Sequence, residues 1–160
     1  MKPTNEILAY MAGIIDGEGC LTIGKQIRKD RVSPSYRCSI TVSNTDRRLV
    51  DLFSKYYGGH TAHRKDSRVE KKWADSYTWY CPDGSSVEFL LDIKNYLLIK
   101  HKQAEILIKF QELKTKYRRK SLGQGKGTAP LSDVEIADKE KHYLKIKALN
   151  TKGIYSRSLK

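Results

Sequence analysis

The chain is short of everything that a membrane span, a disulfide scaffold or a nucleotide-binding loop requires. No apolar run reaches the ~18–20 residues that cross a bilayer. The three cysteines, Cys20, Cys38 and Cys81, are far apart and form no Cys-x-x-Cys pair. An odd, scattered set argues against a disulfide framework and for free, mostly buried thiols in a reducing compartment. His60 and His63 are spaced like half of a zinc site, but no second pair follows. On a strand, residues three apart also point to opposite faces. The glycine-rich stretch Ser121–Pro130 (SLGQGKGTAP) lacks the G-x-x-x-x-G-K-[ST] pattern and reads as a linker. The opening residues, MKPTNE, lead directly into a helical pattern, so neither a secretory signal nor a transit peptide is expected.

Acids are scarce as well. Asp and Glu number 18 against 31 Lys and Arg, a formal charge of +13 on 160 residues. That balance suits a polyanionic partner, nucleic acid above all. A ribosome-like basic protein or a membrane-surface binder shares the composition. The length suits one compact domain.

The pattern predicts α-β-β-α-β-β-α-α. Thr4 is positioned to cap a first helix that runs to about Asp16, where Gly17 and Gly19 stop it. A strand follows at about Cys20–Arg28, then a polar loop with Pro34. Tyr36–Asn44 alternates cleanly: Tyr36, Cys38, Ile40 and Val42 face a core, while Arg37, Ser39, Thr41 and Ser43 face outwards. Thr45 and Asp46 start a short helix closed by Gly58 and Gly59. His60–Lys65 and Ser76–Cys81 form a second hairpin around a charged loop, Asp66–Asp75. Tyr77, Trp79 and Cys81 point to the core, and His63 and Lys65 are placed on the outer face. Helices are expected at about Val87–Asn95 and His101–Arg119. Ser132 and Glu135 form a capping box for a last helix, packed through Val134, Ala137, Tyr143, Leu144 and Ile146. The expected fold is α+β, with a four-stranded antiparallel sheet whose polar face is left open. The expected division is a core at 1–120, a linker at 121–131, and a C-terminal helix with basic tail at 132–160.

The most distinctive stretch is Leu8–Gly19, LAYMAGIIDGEG. Ala9, Gly13 and Gly17 recur every four positions, which lets a second helix approach closely. Asp16 and Glu18 then sit at the helix C-terminal end, where the dipole disfavours negative charge. Acids gathered there call for a cation.

Met11–Gly19 (MAGIIDGEG) resembles the signature of the LAGLIDADG homing endonucleases, with Ala12, Gly13, Ile15, Asp16 and Gly19 matching its letters. Lys100-His101-Lys102-Gln103-Ala104 resembles the family's KxKQA segment. The resemblance spans roughly Leu8 to Gln111. It implies the family's core domain, a long, roughly palindromic double-stranded DNA target and divalent-metal hydrolysis of both strands. Mn²⁺ would substitute for Mg²⁺, and Ca²⁺ would bind without supporting cleavage. The motif occurs once, and single-motif members act as homodimers. Ala9, Ala12, Gly13, Asp16 and Gly17 are therefore expected at a twofold helix contact.

By the same resemblance Glu18 holds metal, joined by the Gly17 carbonyl; the plain alternative for Glu18 is a solvated surface acid. Asp16 reads first as structural, with direct metal contact as the alternative. Asn44 stands where the family places Gln or Asn near the attacking water, and it is equally a residue of capping chemistry. Lys100 is expected near the active site, with a solvated basic turn as the plain alternative. Arg48, or Arg47 in its place, joins the same basic pocket. Gln26, Arg28, Arg37, Ser39, Thr41, His63, Lys65, Ser76, Thr78 and Tyr80 are the expected DNA contacts. The alternative function is an RNA maturase or a non-cleaving DNA-binding regulator on the same fold. The expected setting is intracellular, in a prokaryotic cytoplasm or an organelle, with no membrane partner.

Overall fold

The chain folds as α1 (Asn5–Glu18), β1 (Gly19–Gln26), β2 (Ser35–Asn44), α2 (Arg47–Tyr57), β3 (His60–Arg64), β4 (Ser76–Tyr80), α3 (Ser86–Ile93), a 3₁₀ turn (Lys94–Tyr96), α4 (His101–Lys116) and α5 (Asp133–Asn150). The computed structural model describes residues 2–29, 31–65, 75–117 and 129–151. Most of the expected charged loop and linker, and the tail Lys152–Lys160, lie outside the described residues. The strands form one antiparallel sheet in the order β1-β2-β4-β3. No helix among the described residues is long and apolar enough to cross a membrane.

Helix α1 outlasts its expected end by two residues. It runs through Gly17 to Glu18, and the Gly19 N–H still bonds the Ile15 carbonyl. The chain turns into β1 only at Gly19. A Cβ there would stand 2.7 Å from the Ile15 carbonyl oxygen and 2.8 Å from the Ile15 Cα, both main-chain atoms of the helix it leaves. Helix and strand can therefore join without a connecting loop, and Glu18 is held at that corner.

Helix α2 starts at the expected cap. Asp46 accepts from the Arg48 N–H at 2.9 Å, and the Arg48 guanidinium pairs with the same carboxylate. The guanidinium first and that N–H second hold the Asp46 carboxyl near pKa 2, against 3.8 ordinarily. A lowered folded-state pKa means the cap contributes fully above about pH 4 and is lost as pH falls through about 2. We expect Asp46→Ala to melt at a lower temperature than the native protein at pH 7. The gap should close between pH 4 and pH 2, as followed by circular dichroism.

The chain divides into two compact units, Met1–Leu21 with Ser39–Ala104, and Thr22–Cys38 with Glu105–Lys160. The first has an aromatic core. Phe53, Trp79 and Phe89 are fully buried, with ring centroids 5.0 to 6.0 Å apart. The Trp79 indole donates to the Gly58 carbonyl at 2.7 Å, so the aromatic nitrogen is satisfied inside the core. Helix α1 packs Met11, Ala12 and Ile15 inwards and lies against α3 and the 3₁₀ turn. The second unit buries Ile23, Cys38, Leu107, Phe110, Leu113 and Ile146.

Helix α5 packs through Ile146 and Tyr143 as expected, but the rest of its inner face differs. Val134, Ala137 and Leu144 are exposed, while Glu135 and Lys139 are buried beside Ile146. The buried pair is one helical turn apart and satisfies itself at 2.6 Å. The cysteines form no disulfide; Cys38 is buried, Cys81 half-buried, and Cys20 exposed on β1.

Candidate nucleic-acid interface and metal site

Strand register decides which side chains reach a ligand. In the first unit Val42 pairs with Trp79, both fully buried, so their side of the sheet is the helix-covered one. Thr41 opposite Tyr80 and Ser43 opposite Thr78 therefore form the open side. On β3 the partners of Tyr80, Thr78 and Ser76 are His60, Ala62 and Arg64, which share that open side. Ser39 extends it along β2. The Ser43 and Thr78 hydroxyls meet at 2.8 Å, and the His60 ring stacks on Tyr80 at 4.7 Å. In the second unit Gln26 and Arg37 are exposed, on strand positions that alternate with the buried Ile23 and Cys38. Arg28 follows the end of β1.

The register corrects the placement of His63 and Lys65. His63 lies opposite Tyr77, in line with the Thr61–Trp79 pair on the helix-covered side. Its ring stacks on Tyr77 at 4.7 Å, and its Nε2 is 2.8 Å from an Asp75 carboxylate oxygen. Lys65 shares that alternation and comes after the last residue of β3. The outward side chains of β3 that were missed are His60 and Arg64. Alternation alone could not choose, because HTAHR carries no apolar stripe to mark an inner side.

At the end of α1 two residues bind the main chain in opposite senses. The Asp16 carboxylate accepts from three successive N–H groups, Leu98 at 2.7 Å, Ile99 at 3.1 Å and Lys100 at 2.9 Å. The Lys100 ammonium donates to three carbonyls, Ile15 at 2.7 Å, Asp16 at 2.9 Å and Gly19 at 2.7 Å. Burial pushes this ammonium below the ordinary lysine range, and the nearby Asp16 and Glu18 carboxylates oppose the shift. Lys100 thus neutralises the negative end of the helix dipole at the corner that carries Glu18. Lys100→Met would leave those carbonyls without their cation. We expect it to destabilise the protein by about 2–3 kcal/mol, as measured by urea unfolding.

Glu18 is the exposed last residue of α1, and the neighbouring Gly17 is exposed too. The Gly17 carbonyl is not among the three that Lys100 takes. Asn44 ends β2 on the helix-covered side, its amide oxygen accepting from the Asp46 N–H at 2.8 Å. Arg48 is occupied by Asp46. These two contacts close within their own turn, whereas Asp16, Lys100 and Glu18 converge on one corner.

Among the described residues no three His, Cys, Asp or Glu side chains gather into a metal site. The chain offers an outward carboxylate and an adjacent carbonyl. Both are hard oxygens of the kind Mg²⁺ takes, but they are too few to enclose an ion. The donor set fits a divalent metal shared with other ligands.

The exposed side of α1 carries Ala9, Tyr10, Gly13 and Gly17. A Cβ at Gly13 or Gly17 would meet nothing within 4 Å. Ala12, expected to lie with them at a helix contact, is fully buried within the chain, and the Asp16 carboxylate is engaged as described.

No protein-family model matches the chain, and no curated protein matches it. Solved structures do. The archaeal intron-encoded homing endonuclease I-Vdi141I, complexed with DNA, aligns over 91% of this chain and 85% of its own, with TM-score 0.69 and 12% identity. The homing endonuclease I-CvuI, in complex with its target, aligns over 91% and 82%, with TM-score 0.65 and 19% identity. The LAGLIDADG homing endonuclease I-GzeII, with its DNA target, aligns over 98% of this chain and 48% of its own, with TM-score 0.60 and 16% identity. The fold is that of the LAGLIDADG homing endonucleases. Within that fold this chain has the extent of I-CvuI rather than of I-GzeII, of which it spans half.

Proposed function

We propose that the protein is a site-specific endonuclease that hydrolyses both strands of double-stranded DNA, as a homodimer and with a divalent metal. The observation that carries this reading is the outward Glu18 at the end of a helix whose exposed glycines have no packing role in the protomer. Glycine within a helix costs roughly 0.5–1 kcal/mol relative to alanine. Gly13 and Gly17 incur that cost with open space around them. A second copy of α1 laid against them gives the glycines a purpose and brings a second Glu18 to the same axis. This supplies the further oxygens that one protomer lacks.

The residues then divide the work. Glu18 and the Gly17 carbonyl would hold Mg²⁺, which when bound supplies neutralisation of phosphate oxygens and an acidified water. Asp16 and Lys100 fix the corner that carries Glu18. The hydroxyls of Ser39, Thr41, Ser43, Ser76 and Thr78, with His60, Arg64, Gln26 and Arg37, face the bases and phosphates. Much of the affinity comes from the +13 charge, so binding weakens steeply with salt. An intracellular setting, beside the genome that encodes the chain, goes with this reading.

A cleavage screen on a randomised duplex library tests it. Double-strand cuts at one long site are expected with Mg²⁺ or Mn²⁺, and binding without cuts with Ca²⁺. Selective binding with no cutting in Mg²⁺ would favour the regulator. Binding to folded RNA alone would favour the maturase.

A further inference from the structure

The second unit contains a polar cluster that the proposed chemistry leaves unused. Lys25 on β1, Tyr36 on β2, and Glu140 and Tyr143 on α5 meet there. The Lys25 ammonium is 2.7 Å from a Glu140 carboxylate oxygen, and the Tyr36 hydroxyl donates to that same oxygen. The ammonium also stands 5.7 Å from the ring centroids of both Tyr36 and Tyr143, which meet edge to face at 6.4 Å. One carboxylate oxygen therefore takes a donor from each strand of the β1–β2 hairpin.

The cluster lies where the apolar core of the hairpin ends. On β1 the inward positions run Leu21, Ile23, Lys25, so the series turns from apolar to charged towards the hairpin end. A two-stranded ribbon is marginal on its own and needs something packed on it. Helix α5 supplies that support and is itself anchored at two further points. The Leu131 N–H, just ahead of α5, donates to the Ser33 hydroxyl in the hairpin loop at 3.2 Å. Asp138 accepts from the Lys116 ammonium at 2.7 Å and from the Tyr117 hydroxyl at the end of α4. Burial and the Glu140 carboxylate push the Tyr36 hydroxyl well above the ordinary tyrosine range, so it remains a donor.

Gln26 follows Lys25, and Arg37 follows Tyr36. Adjacent strand residues point to opposite faces, so the backbone that Glu140 ties from one side aims Gln26 and Arg37 from the other. We propose that α5 is a brace for the β1–β2 hairpin, and that Glu140 is the positioning residue through which it sets base-pair discrimination by Gln26 and Arg37. The inference rests on the DNA-binding reading above for its functional half. Its structural half stands apart from that reading.

Two measurements on the full chain test it, with Glu140→Gln and with Tyr36→Phe, which removes a single hydroxyl and keeps the ring. The first is amide hydrogen exchange. Residues 22–38 should exchange on the order of tenfold faster in the variants, with the amides of α1, α2 and β4 unchanged. The second is binding to a duplex series carrying every single base-pair change. The positions read by Gln26 and Arg37 are identified as those that lose discrimination in Gln26→Ala and Arg37→Ala. At those positions the mismatch penalty should fall from on the order of tenfold or more to a few-fold. Elsewhere the profile and the single-turnover cleavage rate should stay native. Unchanged exchange at 22–38, or a penalty reduced evenly at every position, overturns the proposal. If the native protein neither binds nor cuts duplex DNA, the endonuclease reading falls, and the exchange measurement alone decides whether α5 is a brace.

Discussion

Glu18→Gln protein is expected to bind its duplex with native affinity in Ca²⁺ and to cut it in Mg²⁺ slower by on the order of 10³-fold or more. The substitution keeps the shape and removes only the charge. Glu18 is exposed, so the fold has little to lose. The charge lies at the C-terminal end of α1, where the Lys100 ammonium offsets the helix dipole. Without metal the variant should therefore melt at about the same temperature as the native protein. With Mg²⁺ the native protein should gain stability and the variant should not, since a ligand stabilises the state that binds it. Single-turnover cleavage and paired melting curves read both halves. A variant that cuts at the native rate would remove Glu18 from the chemistry.

Gly13→Leu is expected to separate the protomers. In the isolated chain a side chain at this position has open space, and replacing glycine favours the helix. The substituted protomer should therefore fold as well as the native one. In the proposed homodimer each copy carries the substitution at the helix contact. Overpacking costs typically 1–3 kcal/mol per site, so the pair should raise the dimer dissociation constant by roughly 30-fold or more. Sedimentation equilibrium measures this directly, and double-strand cutting should fall with the dimer population. A native protein that stays a single chain in solution and on DNA would refute the twofold arrangement, whatever Gly13→Leu does.

The parts that sequence made legible are those where burial imposes a period. Strand β2 alternates as expected because Cys38, Ile40 and Val42 face a core and Arg37, Thr41 and Ser43 do not. Helix α2 begins where Asp46 can cap it. Strand β3 was misread because it is an edge strand and its five residues are largely exposed on both sides. Its facing is imposed by Trp79 across the ladder, a long-range partner that no local pattern announces. The inner face of helix α5 differs in part from the expected one for another reason. A buried Glu135–Lys139 pair looks like a solvated face until its mutual contact is seen. The corner at Asp16 was half legible. The motif indicated that the acid matters, while its three N–H partners at Leu98–Lys100 lie more than eighty residues away in the chain.

The exposed rim of β3 bears on how these molecules crowd together. A bare strand at a sheet margin invites ribbon-on-ribbon stacking between neighbours, the route that leads to fibrils. Here that margin bears His60, His63, Arg64 and Lys65 in the space of six residues. The Arg64 and Lys65 cations along it repel a like strand. At high concentration, away from nucleic acid, that repulsion disfavours sheet-to-sheet polymerisation.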